Sequence, residues 1–425
     1  MTAVIIRAAL IADAISDAPK PDHAISVLDG RIENVGPFQE VRAHCPPETE
    51  IQNLGDVCVT PGLIDGHTHL SLAGDGRSYA EMFSETDEMM VLAGAMNLRK
   101  HLHAGITTVR EHGARNKVGF ALKEGVERGY IAGPRLFVSG RPITCTGGHF
   151  HFCNEVADGP DEVRRSVRRL VHEGADYIKI MASGGGTEGT VSGRASYSTE
   201  ELRAAVHEAH HFHKLTAAHC RAKESMVRAV EAGIDLMEHA EFLDPDDRQR
   251  FDPEIAQMLA ESGIWISPTL QALTSYQQIL KLSAKRNDDT LTRCEAQLLG
   301  KLETNAEASL DIVRRMLDYG LRDRLVPGTD SGPGDLSFGH LDYDLQLLHR
   351  VGLTPAELLA CATRISAQAS GIDDELGTIE RGKIADLTVF DGDPTKDVKA
   401  FSKVVAVFQS GVQVYDARTS LEGRQ

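Results

Sequence analysis

No run of about 18 apolar residues occurs anywhere in the 425-residue chain, so no segment of it is expected to span a bilayer. Cysteine pairs with CxxC spacing are also missing. The seven cysteines (45, 58, 145, 153, 220, 294, 361) are odd in number and widely scattered, which excludes a cysteine-built structural zinc site and points to a reducing cytoplasm. The opening stretch MTAVIIRAALIADAISDAPK has its apolar runs broken by Arg7 and Asp13, so no secretion signal is expected. Positive charge is in deficit. With 45 Lys plus Arg against 62 Asp plus Glu, the net charge of −17 argues against nucleic acid or an anionic membrane surface as partner and leaves a small molecule as the expected ligand. A hydrophobic content of 41% and a charged content of 25% are ordinary for a soluble globular protein, and 39 glycines are far too few for a collagenous one.

What is present changes character along the chain. The first sixty residues read as short strands with turns, including Asp29-Gly30 between the β-branched runs of HAISVLDGRIENVG. The last fifty repeat that pattern in GTIERGKIADLTVFDGDP and KVVAVFQSGVQVYDA, with Ser410-Gly411 at a turn. Residues 1–60 and 372–425 are therefore expected to build one small β-sandwich from both chain ends. Between them, residues 61–371 alternate short apolar runs with loops and helical patterns, the grammar of repeated βα units. Eight candidate strands can be counted: GLIDGHTHL, GITTVREHG, RLFVSGRPI, YIKIMASGG, LTAAHC, LMEHA, IWISPTL and LVPGTDSG. Helical stretches such as DEVRRSVRRLVHEG and STEELRAAVHEAHHFH lie between them, the second opened by a Ser198/Glu201 capping box. The fold class is thus α/β, a (β/α)8 TIM barrel carrying a small β-sandwich.

Active sites of such barrels lie at the C-terminal ends of the strands, so the strand-closing residues are the ones to inspect. Strand one ends in His67-Thr68-His69, strand four carries Lys179, strand five His219, strand six His239 and strand eight Asp330. Residues i and i+2 of a strand point the same way, so His67 and His69 can share one ion. Any one of these histidines taken alone reads as a hydrogen-bonded core or surface residue. Four of them with an aspartate, gathered at the ends of four strands, form the donor set that suits zinc and similar ions. A lysine beside dications is untenable as a cation and calls for a neutral or chemically modified amine, the alternative being a surface or substrate-binding lysine.

The combination PGLIDGHTH, the Lys179 strand, His219, His239 in MEHA, Asp330 in PGTDSG and the closing GTIERGKIADLTVFD resembles the amidohydrolase superfamily over essentially the whole chain. The resemblance is to its binuclear branch, with the prolidase-like and imidazolonepropionase-like members nearest. It implies that His67, His69 and Asp330 hold one divalent ion, that His219 and His239 hold a second, and that Lys179, carboxylated by CO2, bridges them. Zinc is the expected ion, with cobalt, manganese or iron also compatible. It further implies an enzyme that cleaves the C–N bond of an amide or peptide through a hydroxide shared by the ions, with Asp330 passing the proton to the departing amine. A dipeptide or N-acyl amino acid is the expected substrate, as for an Xaa-Pro dipeptidase. The alternatives are a cyclic or xenobiotic amide, urea, carbamate or lactone, deamination, or a non-catalytic relative that keeps the barrel for binding or assembly.

Around this core, His149 and His151 in TGGHFH reach for the mouth as substrate contacts or as support for the ligand shell. The run SGGGTEGTVSGRASYSTEE is too glycine-rich for helix or strand and is expected to form a mobile loop over the mouth. There Arg194 could clamp a substrate carboxylate with help from Tyr197, or be a solvated loop charge. Gly186-Thr187 departs from the SGGVxS pattern of the dipeptidase group. His112 closes strand two in a structural or supporting role, Cys220 points away from the mouth, and His207, His210, His211 and His213 lie on a solvent-facing helix. A closed symmetric homo-oligomer is the expected assembly.

Overall fold

The computed structural model describes residues 3–16 and 18–420. Ala3–Arg7 pairs antiparallel with His23–Leu28 and parallel with Glu50–Asn53, and Arg31–Pro37 completes a four-stranded sheet. A second, six-stranded sheet is where the chain ends meet. Leu387–Phe390 runs antiparallel to Cys58–Pro61 on one side and to Val404–Gln409 on the other, so residues more than 300 apart in sequence are hydrogen-bonded neighbours. Both sheets feed one apolar cluster that includes Ile6, Ile25, Val27, Val59, Val389 and Phe408. Of the two turns expected from dipeptides, Asp29-Gly30 has φ of 47° and 84° and Ser410-Gly411 has 49° and 74°. Positive φ at both central residues is what a two-residue hairpin requires to match strand twist.

The middle of the chain forms the barrel. Leu63–Thr68, Ile106–Glu111 and Arg135–Val138 make one parallel arc; Ile178–Met181, Thr216–Ala222, Leu236–Leu243 and Trp265–Ser267 make another. A single bridge, Ile143 to Ile180, joins them on one side; on the other, the closing segment bridges Leu325 to Ile266 of the second arc and Ser331 to Thr68 of the first. The eighth expected strand, around Leu325–Ser331, does not form a regular ladder. Pro327 has no N–H to donate, and Asp330 sits at φ 50°, outside the strand region. It still closes the ring through Val326 N–H to the Ile266 carbonyl (2.9 Å), Gly66 N–H to Pro327 (3.0 Å), Asp330 N–H to His67 (2.8 Å) and His69 N–H to Ser331 (2.8 Å). Asp65, wholly buried on strand one, pins the same segment by accepting from Thr329 N–H (2.9 Å) and Oγ1 (2.7 Å).

The helices Pro160–Glu173 and Thr199–His211 fall where the periodicity places them, and Ser198 and Glu201 make the reciprocal capping box. Between strand seven and the closing segment the chain inserts Leu270–Leu273, Tyr276–Asn287 and Arg293–Leu317, an excursion that puts Leu273 and Ser275 on the rim of the mouth. Among the described residues, no helix is long and apolar enough to cross a membrane.

Candidate metal centre and pocket

At the C-terminal ends of the strands lies a cavity of about 280 Å³. Strand one ends with its alternate residues turned inward, bringing His67 Nε2 to 3.4 Å from His69 Nε2. The left-handed backbone at Asp330 turns that carboxylate in from the closing segment, with Oδ1 at 3.4 Å from each of the same two nitrogens. A point equidistant from three donors so spaced lies about 2 Å from each, the Zn–N and Zn–O bond length. These three residues form a group able to hold a metal ion.

His219 and His239 come from strands five and six with ring centroids 4.5 Å apart. His239 has φ 70°, unusual for a non-glycine residue inside a strand, and the ladder between the two strands slips its register beyond it. That bulge aims the imidazole into the mouth. His239 Nδ1 meets Thr269 Oγ1 at 2.7 Å and His219 Nε2 meets the Gly184 carbonyl at 3.0 Å. Each ring therefore keeps one nitrogen, Nε2 of His239 and Nδ1 of His219, for an ion. Burial holds His67, His219, His239 and His149 well below the usual histidine range and His69 at about 3. Neutral imidazoles, the form that ligates metals, result.

Lys179 is wholly buried among these rings, and its Nζ has no hydrogen-bond partner among the described residues. Its closest described acid is Glu238, at 4.0 Å. Burial pulls the amine down to about 8 against the opposing pull of Glu238 and Asp330. An amine so depressed is a nucleophile near neutrality, and a partnerless buried one is what a carboxylated, metal-bridging side chain would satisfy. The donor set therefore fits divalent ions. Enclosure pushes the Asp330 carboxyl up to about 7, with Lys179 pulling the other way.

Sequence reasoning missed Glu238. It accepts from His67 Nδ1 at 2.7 Å and lies 3.2 Å from His112 Nε2, so it fixes which His67 nitrogen faces the mouth. His112 also reaches the Gly66 carbonyl at 2.7 Å, the supporting role expected of it. Two other contributors, Tyr79 and Arg221, line the cavity. Arg221 was findable, because two residues after His219 on one strand it must point the same way. Tyr79 sits at the start of Tyr79–Phe83, far from any motif, and carried no signal.

The peripheral expectations divide. His149 lines the cavity, its Nδ1 on Thr187 Oγ1 (2.8 Å) and its ring 4.7 Å from that of His219. Gly185 is packed so closely on that ring that a Cβ there would meet it at 2.6 Å. His151 is turned out: Phe150 takes a left-handed φ of 60°, and His151 is exposed with Nδ1 on the Gly148 carbonyl. Arg194 is exposed and does not line the cavity. Its backbone carbonyl accepts from Gly184 N–H (3.2 Å), so the glycine-rich run folds back on itself and the side chain at its far end faces solvent. Tyr197 does not reach the cavity either. The chain has already left the mouth to enter the helix capped at Ser198, and the ring packs in the barrel core with its hydroxyl donating to the Ala157 carbonyl (2.8 Å). Cys220 is buried, away from the cavity lining, as expected from its position between His219 and Arg221.

A barrel whose strand ends converge buried imidazoles, a carboxylate and an amine on one cavity defines a hydrolase of the metal-binding class. The amidohydrolase family model matches residues 58–414, and the chain belongs to that family, whose members hydrolyse C–N bonds. It is 27% identical over 377 residues to ochratoxinase of Aspergillus niger, covering 82% of this chain and 73% of that protein. It is 26% identical over 400 residues to imidazolonepropionase of Bacillus velezensis, covering 87% and 83%. Among solved structures it is similar to a Xaa-Pro dipeptidase with methionine bound in its active site, at TM-score 0.81 and 26% identity over 98% of this chain and 100% of that one.

Proposed function

We propose that the protein hydrolyses the amide bond of a dipeptide or N-acyl amino acid. His67, His69 and Asp330 would hold one divalent ion, zinc being the first choice, and His219 and His239 a second, with Lys179 carboxylated on Nζ between them. Bound there, the ions would supply an acidified water and an electrophile for the substrate carbonyl. The observation that carries the reading is the wholly buried Lys179 amine, without a hydrogen-bond partner among the described residues, within a ring of neutral imidazoles. Asp330 uses Oδ1 toward His67 and His69, which leaves its second oxygen to take the proton of the attacking water and hand it to the departing nitrogen. A carboxyl raised toward neutrality suits that shuttle. His149, oriented by Thr187, presents Nε2 to the substrate, and Gly186 of the Gly184–Arg194 fold-back lines the same cavity.

Resemblance to a Xaa-Pro dipeptidase supports the dipeptide class. The imidazolonepropionase relatives favour a second reading, hydrolysis within a ring, by the same residues. The deciding experiment incubates metal-replete protein, prepared with bicarbonate, with pooled dipeptides and N-acyl amino acids and quantifies released amino acids by mass spectrometry. Release of one residue class is expected together with two ions bound per chain; silence across the pool would transfer the reading to cyclic amides.

A further inference from the structure

The cavity is not uniformly polar. Phe150, Met181, Leu273 and Leu336 give it apolar walls, while its rim carries one strong cation, the guanidinium of Arg221. Arg221 is held in place from outside the cavity. Its Nε and Nη2 donate to the two oxygens of Glu241, the second contact at 3.1 Å, and Nη1 donates to Ser192 Oγ at 3.1 Å. Glu241 lies on the neighbouring strand, two residues beyond His239, and Ser192 belongs to the Gly184–Arg194 fold-back.

Counting donors settles what the guanidinium can still do. It has five N–H groups in a rigid fork, and three are used. Each terminal nitrogen keeps one, and a pair of N–H groups on the two terminal nitrogens is the edge that receives a carboxylate end-on. The Glu241 carboxylate takes the Nε–Nη2 side and Ser192 takes one Nη1 N–H, so the cation is oriented while two donors stay available. Arg221 lines the same cavity as Asp330, Tyr79, His149, His219 and His239, which places the guanidinium beside the candidate metal centre.

Resting on the amide-hydrolysis reading above, we propose that Arg221, positioned by Glu241 and Ser192, is the specificity-determining residue that binds the substrate's free carboxylate. The apolar walls then receive an aliphatic or aromatic side chain, so the substrate is an anionic amide of an apolar amino acid. The anion clamp thus comes from strand five and not from Arg194 on the loop.

Two measurements on the metal-replete enzyme test this. In the first, 4-methylpentanoate and its neutral counterpart 4-methylpentan-1-ol are titrated calorimetrically into wild type, Arg221→Ala and Arg221→Lys. Wild type should prefer the anion by roughly 10- to 150-fold, the span of a charged hydrogen-bonded contact. Arg221→Ala should bring the two within about threefold, with Arg221→Lys between, since an ammonium supplies charge without the fork. Retention of the full preference in Arg221→Ala, or no preference in wild type, overturns the assignment. In the second, the kcat/KM ratio for dipeptides against dipeptide amides should fall in Arg221→Ala mainly through KM, and less in Glu241→Gln, which keeps the arginine but loosens it. An equal loss on both substrate types would make Arg221 merely structural and sink the proposal. If no amide is cleaved while the anion preference tracks Arg221, the amide-hydrolysis reading fails and the clamp stands.

Discussion

The barrel mouth and the sandwich spend their backbone freedom differently. In the sandwich, positive φ at Asp29, Gly30, Ser410 and Gly411 sits in hairpin turns whose geometry demands it, and the core between the sheets is apolar. In the mouth, His239, Ala240, Phe242, Thr269 and Asp330 all carry positive φ without being glycine, and Thr269 is β-branched. Conformations of that kind cost of order 1–3 kcal/mol each and persist only where surrounding structure over-determines them. The same mouth buries Lys179, Glu238 and the five neutral imidazoles of His67, His69, His149, His219 and His239. Non-glycine positive φ occurs in the sandwich module too, at Ala14 (62°) and Asp22 (50°), but around the mouth it coincides with buried charged and polar donors, so strain and desolvation fall together beside the groups a ligand would need.

The sharpest way to break the comparison is Asp330→Asn. The amide cannot shuttle a proton, so kcat is expected to fall at least 10²-fold, the lower end of what positioned acid–base catalysis contributes. The melting temperature should change little, because the Asp330 N–H to His67 bond is main-chain; wild-type turnover in this variant, measured with any cleaved substrate, would remove Asp330 from the reaction.

The opposite result is expected in the sandwich. Phe408→Ala removes a wholly buried ring and should cost about 3–5 kcal/mol by denaturant unfolding. Metal stoichiometry and kcat/KM at 20 °C should stay as in wild type, since Phe408 touches no part of the mouth. A variant that loses its metal before it unfolds would show the two regions to be coupled.

Glu238→Gln is a gentler probe of the mouth. It keeps the shape but weakens the contact that orients His67, and is expected to lower metal affinity or kcat/KM by about 10- to 100-fold. Dialysis against a graded chelator series reads the affinity; an unchanged release point would mean His67 is held in its rotamer by packing alone.

Much of the fold was legible without coordinates because its signals are local. Alternating β-branched residues, turn dipeptides and the Ser198/Glu201 box act over a few residues, and each lies where the pattern put it. His67, His69, His219, His239, Lys179 and Asp330 were legible because a strand end is a place sequence can mark, and the structure brings them to one cavity. The loop was not legible in this way. Arg194 and Tyr197 were assigned to the mouth by proximity in sequence, but a fold-back turned one to solvent and a helix start drew the other into the core.

By itself, then, the sequence determined the class of barrel, the joining of both chain ends and the chemical types at the strand ends, since these depend on period, turn chemistry and composition. Only the tertiary structure decided which polar atoms meet. The Glu238 carboxylate under His67, the closure of the ring through Asp65 and Thr329, and the seating of Arg221 by Glu241 and Ser192 are contacts across 20 to 264 residues of chain. No short-range pattern encodes them, because each follows from where a buried donor could find its acceptor once the barrel had closed.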